Sequence, residues 1–244
     1  MFGWLQAGLQ KLTTENCRIG RGSDDHGEYL EIFQTLQSTG PKPIRLEFCR
    51  RITANADGSW HVELNCRLPE NAPSLPRIGT ISVLAPDFEQ VEYFGRGPHE
   101  NYIDRNSSAF IGRYASTVTA QYVPYVRPQD CGYKTDVRWV EFTDADGGGV
   151  RFGADRPFFV QALHYGWEDL EFARHRTAQQ RFRSPPRPHA EVLLNLDCRQ
   201  RGLGGESCGP NPPLPEYTFP VEETRWTVTL APLKCSIYEE NKTN

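Results

Sequence analysis

The sequence predicts an all-β protein, a large antiparallel β-sandwich. Three observations lead to this prediction: short segments in which apolar and polar residues alternate, turn signals between them, and a composition rich in Gly and Pro, with 21 and 19 residues. The clearest case is the pair of segments Ile44–Ile52 and Trp60–Cys66, separated by Asp57-Gly58. Alternation gives each strand one buried and one wetted face, and Asp-Gly favours a hairpin turn.

The other elements follow along the chain. Leu5, Leu9 and Leu12 stand at helical spacing, so residues 2–12 are expected to form a short helix or a tail. Acidic residues near its start favour a helix at Glu168–His175. Loops rich in Pro or Gly are expected at Pro69–Pro76 and Gly202–Pro215. Further strands are expected at Tyr29–Leu36, Ile78–Leu84, Phe88–Phe94, Val137–Phe142, Val150–Gly153, Phe158–Leu163, Val192–Leu196 and Trp226–Leu230. No internal repeat or convincing linker divides residues 1–244, which are therefore predicted to form one domain.

Composition excludes several classes of function. A formal net charge of −4 argues against a nucleic-acid partner, since phosphate binding requires a basic face. No run of 18 apolar residues predicts a membrane span, and the amino end lacks the pattern of a signal peptide. The seven cysteines show no C-x-x-C spacing, and His164 and His175 lack the acidic partners of a metal site. We therefore expect free thiols in a reducing, cytoplasmic compartment, with no metal and no cofactor.

The stretch from Tyr93 to Trp139 is the most distinctive part of the chain. Its first part, with Gly95, Gly97 and Pro98, predicts a strand that ends in a tight loop, because Gly permits positive φ and Pro restricts its neighbour. His99, Glu100 and Asn101 follow. Polar side chains at such a place bind a ligand, or they satisfy backbone groups of an irregular turn.

Aromatic residues recur in the second part of this stretch. Tyr122, Tyr125 and Trp139 alternate with Pro, Arg and Asp residues. Aromatic rings beside hydrogen-bonding groups suit the CH faces and hydroxyls of sugars. They equally suit a rigid surface that packs against a protein partner, and the sequence leaves both alternatives open.

Several long sequence segments resemble those of a known family. The strings GRGPHENYIDR, QYVPYVRPQ and TDVRW resemble the C-terminal domain of family 2 β-galactosidases, which in some relatives is a separate small subunit. Further similar segments occur in the same order: Trp4–Leu9, Ala162–Tyr165, Leu194–Asp197, Gly202–Gly205 and Leu214–Tyr217. The resemblance therefore covers nearly the whole chain.

The resemblance implies a fold and a role. The fold would be the many-stranded supersandwich of galactose mutarotase-like domains. The role would be the non-catalytic part of an enzyme that hydrolyses terminal β-D-galactosyl residues, because the family's catalytic glutamates and metal ligands belong to a barrel domain that this chain lacks. No catalytic residue is therefore assigned here, and the expected partners are the remaining domains or large subunit and the galactoside. The oligomeric state stays open.

The resemblance also suggests substrate-binding residues. In some relatives a loop that matches residues 202–210 carries a tryptophan that stacks on the sugar, and this sequence has Cys208 at that place. Glu206, Ser207 and Cys208 are therefore candidate substrate-binding residues, together with His99, Glu100 and Asn101. A structural role between domains is the alternative for this loop.

Two other functions remain compatible with the sequence. One is a free-standing carbohydrate-binding or mutarotase-like domain with its own pocket, and the other is a purely structural assembly domain. Adjacent Glu168, Asp169 and Glu171 are more simply a solvated first helical turn than a catalytic pair.

Overall fold

The structure, a computed structural model, describes residues 2–25, 27–125, 128–172, 186–204, 212–219 and 223–234. Its helices are short: α1 (Phe2–Ala7), α2 (Val118–Gln121) and α3 (Trp167–Phe172), with one 3₁₀ turn at Pro215–Tyr217. The strands are β1 (Leu12–Asp24), β2 (Gly27–Ser38), β3 (Arg45–Ala54), β4 (Trp60–Arg67), β5 (Arg77–Leu84), β6 (Gln90–Gly97), β7 (Phe110–Thr117), β8 (Lys134–Thr143), β9 (Gly149–Leu163), β10 (Val192–Gln200) and β11 (Thr224–Leu233).

The predicted all-β class is confirmed. Strands make up 55% of the described residues and helices 8%, far below the helix content of about a third that is usual in soluble domains. The strand pairs whose register is known are all antiparallel. None of the helices within the described ranges is long and apolar enough to cross a membrane.

The chain divides into two compact units. The first comprises Met1–Ile78, Phe152–Arg156 and Arg199–Pro232, and the second comprises Gly79–Arg151, Pro157–Cys198 and Leu233–Asn244. The single domain expected over residues 1–244 stays a prediction.

The first unit contains a sheet with the strand order β1-β2-β3-β4-β11. Its centre is the hairpin predicted from sequence: β3 and β4 pair antiparallel, with Ile52 opposite Val62. The turn between them is tied by the Asn55 N–H, which donates to the Ser59 carbonyl at 2.8 Å, and Gly58 takes a φ of 83°. The positive φ explains why the sequence has Gly at this position.

The second unit is built on strands β8, β6 and β7, which lie side by side in that order, with β9 beside β8. One face of β6 is buried and carries Val91 and Tyr93, while the other carries Glu92 and Phe94. Val140, Phe142 and Val160 join the buried face. The unit also contains β10. Residues 193–197 of this strand pair with residues 159–163 of β9, and β10 also pairs with β5.

Sequence reasoning missed some elements. Strands β1 and β7 were not predicted, and the two segments predicted at Val150–Gly153 and Phe158–Leu163 form one continuous strand, β9. The helix predicted at Glu168–His175 is described as α3 up to Phe172, and His175 lies outside the described residues. At the amino end, the helix covers Phe2–Ala7 only.

Two glycines predicted to make a loop lie inside strand β6. Gly95 and Gly97 are buried there, and neither takes a positive φ. A Cβ on Gly95 would lie 2.9 Å from the Cα of Val137, and one on Gly97 would lie 2.2 Å from the Tyr93 hydroxyl. Close packing in the strand, rather than a turn conformation, therefore requires Gly at both positions.

Candidate functional site

The candidate site lies in the segment that follows β6. The peptide bond between Gly97 and Pro98 is cis. The chain then passes through His99, Glu100 and Asn101, and a bridge joins Tyr102 to Arg105. The Asn101 N–H donates to the Tyr133 carbonyl at 2.8 Å, so this segment is tied to the chain just before β8.

Asn101 is completely buried and acts as a clamp. Its side-chain N–H₂ donates to the carbonyls of Arg96 at 3.1 Å and His99 at 3.0 Å. Its side-chain oxygen accepts from the Thr135 backbone N–H at 3.0 Å and from the Thr135 hydroxyl at 2.6 Å. An amide has two donor hydrogens and two acceptor lone pairs, and all four are used inside the protein.

Glu100 is held by three donors. Its carboxylate accepts from the Tyr125 hydroxyl, from the Gly132 N–H at 2.8 Å, and from the Arg105 guanidinium at 3.2 Å. Only a tenth of the side chain is exposed. Burial, followed by the bond to Glu100, raises the pKa of Tyr125. Glu100 thus holds the Tyr125 and Gly132 regions against its own segment.

His99 is the most accessible of the three candidates. Its side chain is exposed, and its Nε2 lies 3.1 Å from the Ser108 hydroxyl. The structure therefore separates three neighbours in sequence by role: Asn101 and Glu100 make internal bonds, and the His99 imidazole faces solvent.

The predicted aromatic residues do not share one surface. The Tyr122 ring packs at a tilt against Tyr165 with ring centroids 4.5 Å apart, and the Tyr125 hydroxyl donates to Glu100. Both tyrosines pack against a small apolar core that contains Cys131, Leu163 and Leu170. Trp139 lies elsewhere, on the outward side of β8, with the Arg151 guanidinium 4.7 Å from its ring centroid.

Sequence reasoning missed a network of buried polar groups beside the clamp. The Tyr133 hydroxyl donates to the Asp197 carboxylate at 2.7 Å. The Gln161 side chain donates to Asp130 at 2.7 Å and to the Cys131 carbonyl at 2.6 Å, and Asn195 donates to Gln161. The available signal was the run Tyr133–Asp136, where polar residues continue directly into an apolar strand pattern.

Lys134 is the most unusual member of this network. It is buried, and its ammonium donates to the Gln121 side-chain oxygen at 2.5 Å and to the Gly132 carbonyl at 3.1 Å. Burial lowers the pKa of Lys134 to about 8, although the charge of Glu100 opposes this shift. Neutral acceptors replace only part of the hydration that the ammonium loses.

The histidines and acids outside this segment also make internal contacts. His164 lies 2.9 Å from the Glu89 carboxylate and 3.0 Å from the Glu191 carbonyl. His189 lies 2.8 Å from the Asp169 carboxylate, which also accepts from the Gly166 N–H at 2.7 Å. Asp169 is therefore more than a solvated residue of a first helical turn. No group of three or more His, Cys, Asp or Glu suitable for a metal occurs in the part of the chain that the structure describes.

The loop implied by the family resemblance is described only at its ends. Glu206, Ser207 and Cys208 lie outside the described residues. At the start of the loop, the Arg201 N–H donates to the Pro76 carbonyl at 2.8 Å and the Gly202 N–H donates to the Tyr217 carbonyl at 2.9 Å. The two ends of this segment are therefore fixed next to each other in the first unit.

Removing the clamp should destabilise the protein. We expect Asn101→Ala to lower the free energy of unfolding by roughly 2–4 kcal/mol, because it leaves the Thr135 donors and two carbonyls without partners in a buried place. His99→Ala is the matched control and should change stability by about 0.5 kcal/mol or less, since the ring is exposed. Chemical denaturation of wild type and both variants measures these changes in the free energy of unfolding. Equal effects of the two substitutions would contradict the assignment.

Lys134 should make stability depend on pH. Its pKa is lower in the folded chain than the ordinary value of about 10.4 in the unfolded chain, so between about pH 8 and 10.4 the unfolded chain binds more protons. The free energy of unfolding contributed by this group therefore rises with pH across that window. The Lys134→Met variant lacks this contribution. The free energy of unfolding of the wild type should therefore rise relative to that of Lys134→Met as the pH increases from about 7.5 to 10.

Denaturation curves at several pH values measure this gain. Lys42→Met, at an exposed position, serves as the control and should follow wild type at each pH. Curves for wild type and Lys134→Met that run parallel across the window would refute the lowered pKa.

Comparison with known proteins adds what the geometry alone does not give. The model of the family described as "Beta galactosidase small chain" matches residues 2–230. A β-galactosidase of Priestia megaterium is 33% identical over 178 residues, which are 72% of this chain and 16% of that protein. A β-galactosidase of Vibrio cholerae is 32% identical over 227 residues, which are 93% of this chain and 21% of that protein.

A solved structure is also similar. It is a galactose mutarotase related enzyme from Lactobacillus acidophilus, with 9% sequence identity and a TM-score of 0.29, and the match covers 92% of this chain and 72% of that one. A likeness this loose supports no inference about function. The sequence matches show the family, because a single family model accounts for nearly all of the chain. The chain spans about a fifth or less of the length of these two curated relatives. The chain belongs to the β-galactosidase small-chain family.

Proposed function

We propose that this chain is the non-catalytic small-chain part of a β-galactosidase, which hydrolyses terminal β-D-galactosyl residues only when the rest of the enzyme is present. The observation that carries the proposal is the family match over residues 2–230, combined with relatives of which the chain spans only 16% and 21%. In such an enzyme the larger portion supplies the catalytic carboxylates, and this chain supplies a β-sheet support and loops.

Three carboxylates, of Glu100 in the candidate site and of Asp197 and Asp169 outside its segment, are compatible with this division. A retaining glycosidase needs two carboxyl groups about 5–5.5 Å apart, one as acid and base and one as nucleophile. Glu100 is surrounded by donors, Asp197 accepts from Tyr133, and Asp169 is bound to a backbone N–H and a histidine. In this proposal the three carboxylates position the chain through these bonds.

The proposed contact with substrate is made by the loop that contains Glu206, Ser207 and Cys208. Its support is the family resemblance, in which the matching loop carries a tryptophan that stacks on the sugar. His99 is a second proposed contact, because its ring is exposed. Glu100 and Asn101 act in this proposal through the shape of the segment that they hold.

Reconstitution tests the proposed function. The isolated chain should not hydrolyse a chromogenic β-galactoside, and the remainder of the β-galactosidase from the same source should be inactive or weakly active alone. Mixing the two should restore activity in proportion to the complex formed, which gel filtration measures. The control is the same mixture with the small chain unfolded beforehand.

Two results would count against this function. Hydrolysis by the pure isolated chain, lost when one of its own Asp or Glu residues is replaced, would place the catalytic groups on this chain. Binding of galactose by the isolated chain in calorimetry, or mutarotation in a polarimeter, together with failure to assemble, would favour a free-standing carbohydrate-binding or mutarotase-like domain.

The loop can be tested in the reconstituted enzyme. Cys208→Ala should change galactoside affinity by about 1 kcal/mol or less, because a thiol offers only a small, polarizable contact. Cys208→Trp should change KM or acceptor preference, because an indole ring restores stacking or blocks the entrance. Steady-state kinetics at equal complex concentration measure both. If neither variant alters KM or kcat while the complex stays intact, the loop does not contact the sugar.

A further inference from the structure

The outward side of strands β6, β7, β8 and the beginning of β9 carries an unusual combination of side chains. We call this the aromatic–arginine face, and it consists of Phe94, Ile111, Arg113, Arg138, Trp139 and Arg151. In the sheet Phe94 lies opposite Arg113 on one side and Trp139 on the other. The reverse side of the same strands is the buried core of the second unit. All six residues belong to this unit.

Strand β8 is irregular at this face, and the irregularity adds one side chain to it. Val137 and Val140 are both buried, whereas Arg138 and Trp139 between them both point outward, so the regular alternation is interrupted. Asp136, just before, takes a φ of 52°. Arg138 and Trp139 therefore both contribute to the face.

Guanidinium groups surround both aromatic rings. The guanidinium carbon of Arg151 lies 4.7 Å and that of Arg113 5.7 Å from the Trp139 ring centroid. Arg138 lies 5.7 Å from the Phe94 ring. A sugar platform needs an open ring face, and two cations next to Trp139 compete for it. Of the two alternatives that the sequence left open, this arrangement favours a protein partner.

The face has the composition and order of an interface. Trp, Phe and Arg are enriched at the energetic centres of protein interfaces, and an exposed cluster of them is uncommon on a surface without a partner. Phe94 is 36% and Ile111 40% exposed. Arg113 is paired with Glu92, and Arg151 with Glu141 at 2.6 Å. These pairs hold the arginines in place, which reduces the entropy lost on association.

Arg138 indicates the chemistry of the partner. It donates to the Asp136 backbone carbonyl, and among the described residues it forms no ion pair with a carboxylate. The face therefore has one arginine available for an acidic group. A complementary surface would place apolar side chains on Phe94 and Ile111 and a carboxylate at Arg138.

We propose that the aromatic–arginine face is the surface through which this chain docks on the remaining portion of the β-galactosidase. This inference rests on the proposed function and adds a location to it. The curated relatives are about five or more times longer than the matched segment, so a large surface of the same enzyme is available as the occupant. A stable interface of this type buries roughly 1,200–2,000 Å² in total.

Assembly of the reconstituted enzyme tests the face. The measured quantity is the concentration of small chain that gives half-maximal activity with a fixed amount of the remaining portion. Phe94→Asp should raise this concentration about tenfold or more, and Arg138→Glu should also raise it, because each places a charge against a complementary surface. Circular dichroism and thermal unfolding verify that each variant is folded, and Arg138→Glu decides the matter if Phe94→Asp does not fold.

Phe33→Asp is the matched control. Phe33 lies on β2 in the first unit and is 43% exposed, close to the exposure of Phe94. The Phe33→Asp variant should shift the small-chain concentration that gives half-maximal activity by about twofold or less, within the usual range for surface substitutions.

The outcomes separate this inference from the proposed function. If wild type fails to assemble, the proposed function fails and the docking face fails with it. If wild type assembles but Phe94→Asp and Arg138→Glu assemble equally well, the docking assignment is refuted and the proposed function stands. The same conclusion follows if Phe33→Asp weakens assembly as much as these two variants do. Loss of galactose binding by Trp139→Ala with unchanged assembly would instead make the face a sugar platform, and that result also overturns the inference.

Discussion

The four hydrogen bonds of the Asn101 side chain are the constraint on which the second unit depends. They join the backbone at Arg96 and His99 to Thr135, at the beginning of β8. Strand β6 ends at Gly97, so the amide fixes the direction in which the chain leaves the sheet. Because the Asn101 amide is fully buried, rotating its side chain would leave several polar groups without partners. The low dielectric of the interior makes the free-energy cost of such unpaired groups high. One side chain thus defines the path of an irregular segment that has no regular structure of its own.

Other buried polar groups extend this constraint. Glu100 holds Gly132, Tyr133 holds Asp197, and Gln161 holds Cys131. Such groups contribute less to net stability than an apolar core of equal volume, but they exclude alternative arrangements when every member is paired. These bonds therefore restrict the path of the chain around the start of β8. This restriction suits the support role proposed for the chain, and a backbone hydrogen bond from Gly202 to Tyr217 fixes the ends of the loop.

The sequence predicted elements where one face is buried and the other wet. The hairpin of β3 and β4 is the best case, because alternation and an Asp-Gly turn indicate the same structure. Strand β1 was missed because almost every residue in it is exposed, so it shows no alternation to detect. Strand β9 was divided in two because Asp155, Arg156 and Pro157 look like a turn, although the strand continues through them.

The candidate site was predictable in outline only. The segment after β6 was located by its glycines and proline, but the two glycines serve close packing within the strand, against Val137 of β8 and against Tyr93 of β6 itself. Lys134 could not be identified as buried, since lysine is among the residues most often exposed and only the tertiary structure surrounds it. The residues chosen by resemblance at 206–208 lie outside the described ranges, so their placement stays a prediction.

The proposed role within a longer enzyme would place different demands on the two sides of one sheet. The inward side of β6 and β8 must be apolar and closely packed, which Val91, Tyr93 and Phe142 provide. The outward side of a domain without a partner would be expected to carry short or charged residues. It instead carries Phe94 and Trp139 beside Arg113 and Arg151, which are paired with Glu92 and Glu141. Exposed aromatic surface opposes solubility of an isolated domain, so its presence is physically reasonable where association removes it from water. Strand β6 links the proposed docking face to the Asn101 clamp, because it contains Phe94 and ends three residues later at Gly97, where the clamped segment begins.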